Sequence, residues 1–249
     1  RFTLTLRQGF LLTTVSWVAL AACAALPFLL AGKGYRFADA YFEAISGLTT
    51  TGGTVIVGLD SLSRGLLLWR ALTEGLGGVG IVVMAILILP FLRIGGMQLF
   101  HLESSDRSER IVPRAAELML AIALAYLALI VACAALYGLA GMSWFDAICH
   151  ALTTVSTGGF STHDASFGYF PQASIHWIAI AFMMVGCLPF VLLIKAARGS
   201  PGALLRDPQV RVFCAVAAGV SLVVAVWIAF DQRLPPGEAL RLATFNVVS

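Results

Sequence analysis

Residues 47–55 of the chain are GLTTTGGTV, a polar and glycine-rich loop inside a strongly apolar sequence. Of the 249 residues, 59% are hydrophobic and only 12% are charged, whereas soluble globular proteins carry about 25% charged residues. The composition therefore indicates a membrane protein. Within a bilayer, such a loop is tolerated only where it packs in protein or lines a wet cavity, because unpaired backbone groups are costly in lipid.

Five runs without charge are each long enough to cross a bilayer, which takes roughly 20 apolar residues. They are residues 9–31, 75–92, 118–145, 173–194 and 212–230. The polar segments between them alternate sides, and ten of the 16 Lys and Arg residues fall on the side of 1–8, 93–117 and 195–211. The positive-inside rule makes that side cytoplasmic, so the loop at 47–55 is predicted to face the outside.

The loop belongs to a segment that occurs twice. FADAYFEAISGLTTTGGTV at 37–55 aligns without a gap with WFDAICHALTTVSTGGFST at 144–162, at an offset of 107 residues. GEALRLATFNVVS at 237–249 matches the start of a third copy. Each copy opens with an acid that we expect to cap a helix, because carboxylates accept hydrogen bonds from free amides at helix amino termini. The predicted caps are Asp39, Asp146 and Glu238.

About ten apolar residues separate each acid from its loop. As a helix they would extend only ~16 Å, roughly half of the ~30 Å hydrocarbon core. Each copy is therefore predicted to enter the membrane as a half-helix whose carboxyl end, with its partial negative charge, faces the loop and favours a cation. Loop carbonyls can replace the hydration shell of potassium, and glycine permits the dihedral angles that this needs.

The candidate potassium ligands are the backbone carbonyls of the two loops. They belong to Thr50, Thr51, Gly52, Gly53, Thr157, Gly158, Gly159 and Phe160. A closed ring needs about four such loops, so two more would have to come from outside these 249 residues. The hypothesis requires no cofactor besides the potassium ion, and the net charge of +3 does not indicate a nucleic-acid partner.

Longer motifs accompany the repeat. They are GLTTTGGTV, GLGGVGIVVMAILILP followed by GGMQL, FDAI, GGFSTHDASFGYF, RDPQVR and FNVVS. Together they resemble the TrkH/TrkG potassium-uptake proteins of bacteria, within the Trk/Ktr/HKT superfamily. The resemblance implies a potassium-uptake subunit of the bacterial inner membrane, a homodimer bound to a cytosolic nucleotide-binding ring of the TrkA type. It also implies that one glycine in each loop marks a selectivity filter, here Gly52 and Gly159.

The expected fold is an all-α polytopic membrane protein built from span–pore helix–span repeats around a pseudo-fourfold pore. The first repeat is predicted at 9–92 and the second at 118–194, followed by the start of a third at 212–249. Cytoplasmic loops are predicted at 93–117 and 195–211. Compared with the family, the chain lacks two amino-terminal helices, the third filter loop and the fourth repeat, so we expect a fragment of a longer protein.

Three alternatives stay open at this point. An ordinary extracellular turn explains one Thr-Gly loop but not two at a fixed offset. A secondary transporter also uses helices broken at the membrane midplane, although such folds usually have inverted repeats. An intramembrane enzyme would need a Ser/His, paired-Asp or metal-binding constellation within the spans, and the sequence shows none.

Some polar features near the loops also allow more than one interpretation. Glu74 is either a hydrated interfacial residue or part of the pore electrostatics. GLGGVG at 75–80 is expected to serve close helix packing and not nucleotide binding, since no strand precedes it. His163 and Asp164 are predicted to hydrogen-bond to each other. The segment 101–110 is either a solvated loop or a docking site for the regulatory ring.

Overall fold

The computed structural model describes residues 6–92 and 111–249, and every regular element in these two ranges is helical. The helices are α1 (Leu6–Leu30), α2 (Phe37–Leu48), α3 (Arg64–Leu92), α4 (Ile111–Leu139), α5 (Trp144–Val155), α6 (Ala173–Gly186), α7 (Phe190–Ala197), α8 (Pro201–Arg206), α9 (Pro208–Asp231) and α10 (Pro236–Val248). Short 3₁₀ turns follow α2 at Leu59–Ser61 and α5 at Ser166–Tyr169. The all-α class is confirmed. Most of the predicted loop at 93–117, including the segment 101–110, lies outside the described residues.

Within residues 6–92 and 111–249, four helices are single segments with the length and hydropathy to cross a membrane, namely α1, α3, α4 and α9. A fifth span is obtained only if α6 and α7 are taken together, and these two helices meet at a bend of 104°. The predicted span at 173–194 is therefore not one straight helix. Pro189 accounts for the break, because proline lacks a backbone donor and disfavours helical geometry in the residue before it.

Helix α3 begins earlier than the charge-free run at 75–92 predicted. It starts at Arg64 and so includes, besides Arg64 itself, two charged residues within its first eleven positions, Arg70 and Glu74. Both side chains are almost completely shielded from solvent, with 1% and 0% of their surface exposed. The second span is thus a longer helix whose first eleven residues include a buried arginine and a buried glutamate.

Buried apolar side chains form two separate clusters. The first lies among α1, α2 and α3 and includes Ala25, Phe28, Ala40, Ala44 and Leu67. The second lies among α4, α5, α6 and α7 and includes Tyr137, Ala147, Ala151, Ala179 and Phe190. We call these helix groups the first unit and the second unit. Each short helix, α2 or α5, therefore packs between longer helices of its own unit, and α3 also packs against α5.

The glycines of GLGGVG allow α3 to approach both short helices. A methyl group at Gly77 would overlap the carbonyl oxygen of Leu48 at the end of α2 and lie 2.7 Å from its carbonyl carbon. At Gly78, it would lie 2.9 Å from the Cβ of Ser156, just after α5. The structure therefore confirms that this motif serves close helix packing.

Gly77→Ala should destabilise the protein by about 1–3 kcal/mol, because overpacking is costly and the Leu48 backbone cannot rotate away. Gly80→Ala is the matched control, since its methyl group would meet only Trp17 at an ordinary 3.8 Å. Both variants gain the same helix propensity, so the comparison isolates packing. The measurement is the thermal unfolding midpoint of the full-length protein in detergent. Equal midpoints for the two variants would contradict the packing argument.

Candidate functional site

The two predicted half-helices and their loops have the same local geometry. Helices α2 and α5 are each 12 residues long, and their ends match at the offset of the sequence repeat. After each helix, three successive amides donate to carbonyls of its last turns at equivalent positions. These donors are Thr49, Thr50 and Thr51 in the first copy, and Ser156, Thr157 and Gly158 in the second. The repeat in sequence is thus also a repeat in backbone conformation.

Both loops alternate the sign of their backbone φ angle. The angle is positive at Thr50 and Gly52 in the first loop (residues 49–63) and at Thr157 and Gly159 in the second loop (residues 156–172). It is not positive at the intervening or following residues, Thr51, Gly53, Gly158 and Phe160. Threonine at positive φ costs ~1–2 kcal/mol, so its occurrence at two matched positions indicates a functional constraint. When φ alternates in sign, successive carbonyl groups can point to the same side, whereas in a regular strand they point to opposite sides.

Seven of the eight predicted ligand carbonyls accept no hydrogen bond from any residue in 6–92 or 111–249. Backbone carbonyls that lack a protein partner require water or an ion. The exception is Gly53, whose carbonyl accepts a 2.6 Å hydrogen bond from the Ser46 hydroxyl of α2. The Gly53 carbonyl therefore faces its own helix.

The two loops meet at Gly52. A methyl group on Gly52 would overlap the carbonyl oxygen of Gly158 and lie 3.0 Å from its carbonyl carbon. The equivalent methyl group on Gly159 would have no atom of the described residues within 4 Å. The first loop is thus closed against the second, and the corresponding side of the second loop is open.

A buried ion pair that the sequence analysis missed lies behind the loops. Nε of Arg70 in α3 donates to Oε1 of Glu43 in α2 at 2.7 Å, and neither side chain is more than 1% exposed. The other two guanidinium nitrogens donate to the Ser161 carbonyl at 2.8 Å and the Thr54 hydroxyl at 3.1 Å. The ring of Phe160 lies against the guanidinium, with the ring centre 4.2 Å from the guanidinium carbon. One side chain therefore binds a half-helix and both loops.

The position of Glu43 has a counterpart in the second copy, His150. Glu43 accepts a hydrogen bond from Thr54 at 2.9 Å, and the His150 ring lies 3.0 Å from the hydroxyl of Ser161, the residue equivalent to Thr54. Both Glu43 and His150 are completely buried. The same helix position therefore holds the same loop position in each copy, with different chemistry. A polar residue at the same position of both short helices was the available sequence signal.

Glu74 lies one helical turn beyond Arg70 and contacts the second loop. Its two carboxylate oxygens accept from the amide of Phe160 at 3.1 and 3.2 Å. A methyl group at Gly158 would overlap the same carboxylate, at 2.7 Å from Oε1. Glu74 has no exposed surface, so its interpretation as a hydrated interfacial residue is wrong.

The predicted helix caps occupy a different position from the one expected. Asp39, Asp146 and Glu238 are each the third residue of their helix. The N-caps are instead Arg36, Ser143 and Pro235. At Ser143 the physical reason is clear, because its hydroxyl already accepts from the amide of Asp146 at 3.1 Å. The acids still stabilise the helix amino termini through the helix dipole.

Past the predicted ligands, the two loops bind each other directly. His163 hydrogen-bonds to Asp60 of the first loop, and Asp164 accepts from the amides of Gly58 and Leu59 at 3.0 and 3.1 Å. The predicted His163–Asp164 pair is therefore wrong, since each residue pairs across the loops. The hydrogen bond from His163 lowers the pKa of Asp60 below its usual value, which keeps this carboxylate charged.

Comparisons with known proteins place the chain in one family. Residues 1–230 match the family model TrkH, described as a cation transport protein. The Trk system potassium uptake protein TrkI of Halomonas elongata is 46% identical over 97% of this chain and 49% of its own length. TrkH of Vibrio parahaemolyticus is 41% identical over 98% of this chain and 52% of its own length.

A solved structure shows the same fold. The crystal structure of the potassium transporter TrkH from Vibrio parahaemolyticus matches with a TM-score of 0.87 and 40% sequence identity, covering 97% of this chain and 50% of that one. The chain thus spans about half the length of the curated relatives it matches. The motif-based resemblance is confirmed, and the chain is a helical, multi-pass membrane protein. It belongs to the TrkH family of cation transport proteins, which are transporters and not enzymes.

Proposed function

We propose that this chain supplies two of the four selectivity-filter loops of a potassium-uptake protein. The observation that carries the proposal is the pair of loops with φ alternating in sign at matched positions, in contact at Gly52 and Gly158. Their unpaired carbonyls are the proposed ligands that replace water around the ion. These are the carbonyls of Thr50, Thr51 and Gly52, and of Thr157, Gly158, Gly159 and Phe160. The names of the relatives support potassium as the ion.

A pseudo-fourfold pore follows from repeating the observed contact. In a ring of equivalent loops, the approach of Gly52 to Gly158 would recur at each junction, and the open side of Gly159 would receive a third loop. Helix α10 supports this arrangement, because it begins at Pro236 in the same register relative to Glu238 as α2 does relative to Asp39. We therefore propose repeats at 9–92, 118–194 and 212–249, joined by cytoplasmic connections at 93–117 and 195–211, which include the first turns of α4 in the one and α8 in the other.

The electrostatics of the half-helices fit a cation. The carboxyl ends of α2 and α5 both lead directly into the proposed ligand residues, and such ends carry about half a negative charge. Both loops lie on one side of the molecule, where they bind each other. Copies on one side form a parallel repeat, which favours a channel-like path over the inverted repeats usual in alternating-access transporters.

The wider setting of the protein is proposed from the family resemblance. We place it in the bacterial inner membrane with both loops facing outside, consistent with the excess of basic residues on the other side. In the full-length protein we expect a homodimer and a cytosolic nucleotide-binding regulatory ring of the TrkA type. Transport requires no cofactor in this chain, and potassium is the transported ion.

The direct test is ion uptake by the full-length protein with Gly159→Ser. We expect discrimination between potassium and sodium to fall by about tenfold, the effect of ~1.4 kcal/mol of differential binding. The reason is that serine strains a backbone at φ +94° while its side chain enters open space. Gly168→Ser is the control, because that glycine also has open space but no positive φ. Unchanged discrimination in Gly159→Ser, at normal membrane levels, would contradict the filter assignment.

A further inference from the structure

We propose that Glu74 of the first unit is a positioning residue that sets the ion selectivity of the second loop. It would do so by fixing the direction of the Gly159 carbonyl. This inference rests on the proposed function, since it assigns a role within the same filter. It adds a residue outside both loops, on a helix that belongs to the other unit.

One peptide unit connects Glu74 to the Gly159 carbonyl. The Phe160 amide that Glu74 binds and the Gly159 carbonyl belong to the same planar unit, in which N–H and C=O point in opposite directions. Because Glu74 holds the N–H behind the loop at 3.1–3.2 Å, the carbonyl must point away from Glu74. Under the proposed function, that direction is toward the ion path.

The glycine in this peptide unit has considerable conformational freedom. Glycine populates positive and negative φ about equally, and Gly159 is at φ +94° with no neighbouring atom to confine a side chain. Gly159 therefore does little to fix the orientation of the 159–160 peptide plane, so the hydrogen bonds at the Phe160 amide matter for it. In the first loop the equivalent peptide unit joins Gly52 and Gly53, and there the half-helix contributes Ser46, which binds the carbonyl of the next unit, that of Gly53.

The Glu74 carboxylate has no other hydrogen-bond or ion-pair partner among the described residues. Within 6–92 and 111–249 it forms no ion pair, and its only hydrogen bonds are those from the Phe160 amide. The nearby guanidinium of Arg70 uses its three nitrogens on Glu43, Ser161 and Thr54. The carboxylate also fills the space where Gly158 has no side chain, so the loop cannot move back toward α3.

Two variants of the full-length protein test separately the length of the Glu74 side chain and its carboxyl group. Glu74→Gln keeps an acceptor oxygen at the same distance and removes the carboxyl group, whereas Glu74→Asp keeps the carboxyl group and withdraws it by one methylene. We measure rubidium and sodium uptake in cells, with the apparent KM and maximal rate normalised to protein in the membrane. Arg64→Gln is the control, because Arg64 lies on the exposed side of the same helix.

The expected result is that Glu74→Asp loses about tenfold in rubidium-over-sodium discrimination, while Glu74→Gln stays within about threefold of wild type. A purely structural role would lower the membrane level and the maximal rate in both variants without changing the discrimination ratio. The proposal is overturned if Glu74→Asp discriminates like wild type, or if Glu74→Gln loses as much as Glu74→Asp. A wild-type protein that fails to prefer rubidium over sodium would instead overturn the proposed function.

Discussion

Arg70→Ala is expected to destabilise the protein by about 3–5 kcal/mol, the typical effect of removing one partner of a buried ion pair. Glu43 would be left completely buried without its counter-charge, since the pair joins the two side chains at 2.7 Å. The Ser161 carbonyl and the Thr54 hydroxyl would each lose a donor as well. The measurement is the amount and thermal stability of the full-length protein extracted from membranes.

Further variants identify the cause of that loss. Arg64→Ala should be nearly silent, because exposed charged residues contribute little to stability. Arg70→Lys keeps the charge but lacks the planar fork that serves three partners, so we expect an intermediate effect. Combining Arg70→Gln with Glu43→Gln removes both charges and should recover part of the stability lost in Arg70→Gln alone. A wild-type melting temperature in Arg70→Ala would refute the role assigned to the pair.

Gly52→Ala is expected to abolish most potassium uptake, with a loss of at least about tenfold. The added methyl group would overlap the Gly158 carbonyl oxygen, which belongs to the backbone of the neighbouring loop and cannot rotate away. In addition, the residue has φ +74°, where alanine is ~1–2 kcal/mol less stable than glycine. Uptake of rubidium by the full-length protein, corrected for membrane level, is the appropriate measurement.

Two neighbouring glycines provide matched controls for Gly52→Ala. Gly53→Ala should be tolerated, because its methyl group would meet Phe42 and Ser46 at ordinary distances of 3.5–3.6 Å and its φ is not positive. Gly159→Ala carries the conformational strain without the clash and should fall between the two. If Gly52→Ala and Gly159→Ala proved equally harmful, the close contact between the loops would not be the cause.

Much of the site could be predicted because the sequence repeats itself. An ungapped offset located both half-helices and both loops, and the structure places α2 and α5 in the same register. The N-caps were missed because an acid at the cap and an acid at the third helical position look alike in sequence. Both interact favourably with the amino terminus, and only the backbone geometry of Ser143 and its neighbours distinguishes them.

The buried charges could not be predicted by searching for charge-free spans. That search assumes that charges lie in water, whereas Arg70 and Glu43 satisfy each other inside the protein although they are 27 residues apart. For the same reason, the search for charge-free spans did not find the first turns of α3, which contain charged residues. The bend before α7 was missed for a different reason, because hydropathy does not register the missing backbone donor of Pro189.

The contacts of Arg70 and Glu74 in α3 also have a consequence for the order in which parts of the protein can assemble. Arg70 and Glu74 enter the membrane before their partners in the second loop exist, since Ser161 follows Arg70 by 91 residues and Phe160 follows Glu74 by 86. Until the second unit is inserted, the first unit therefore contains the Glu74 carboxyl group and one guanidinium N–H of Arg70 without the partners that they have in the complete chain. The contacts that α3 makes with the second loop can therefore form only after both units have been made.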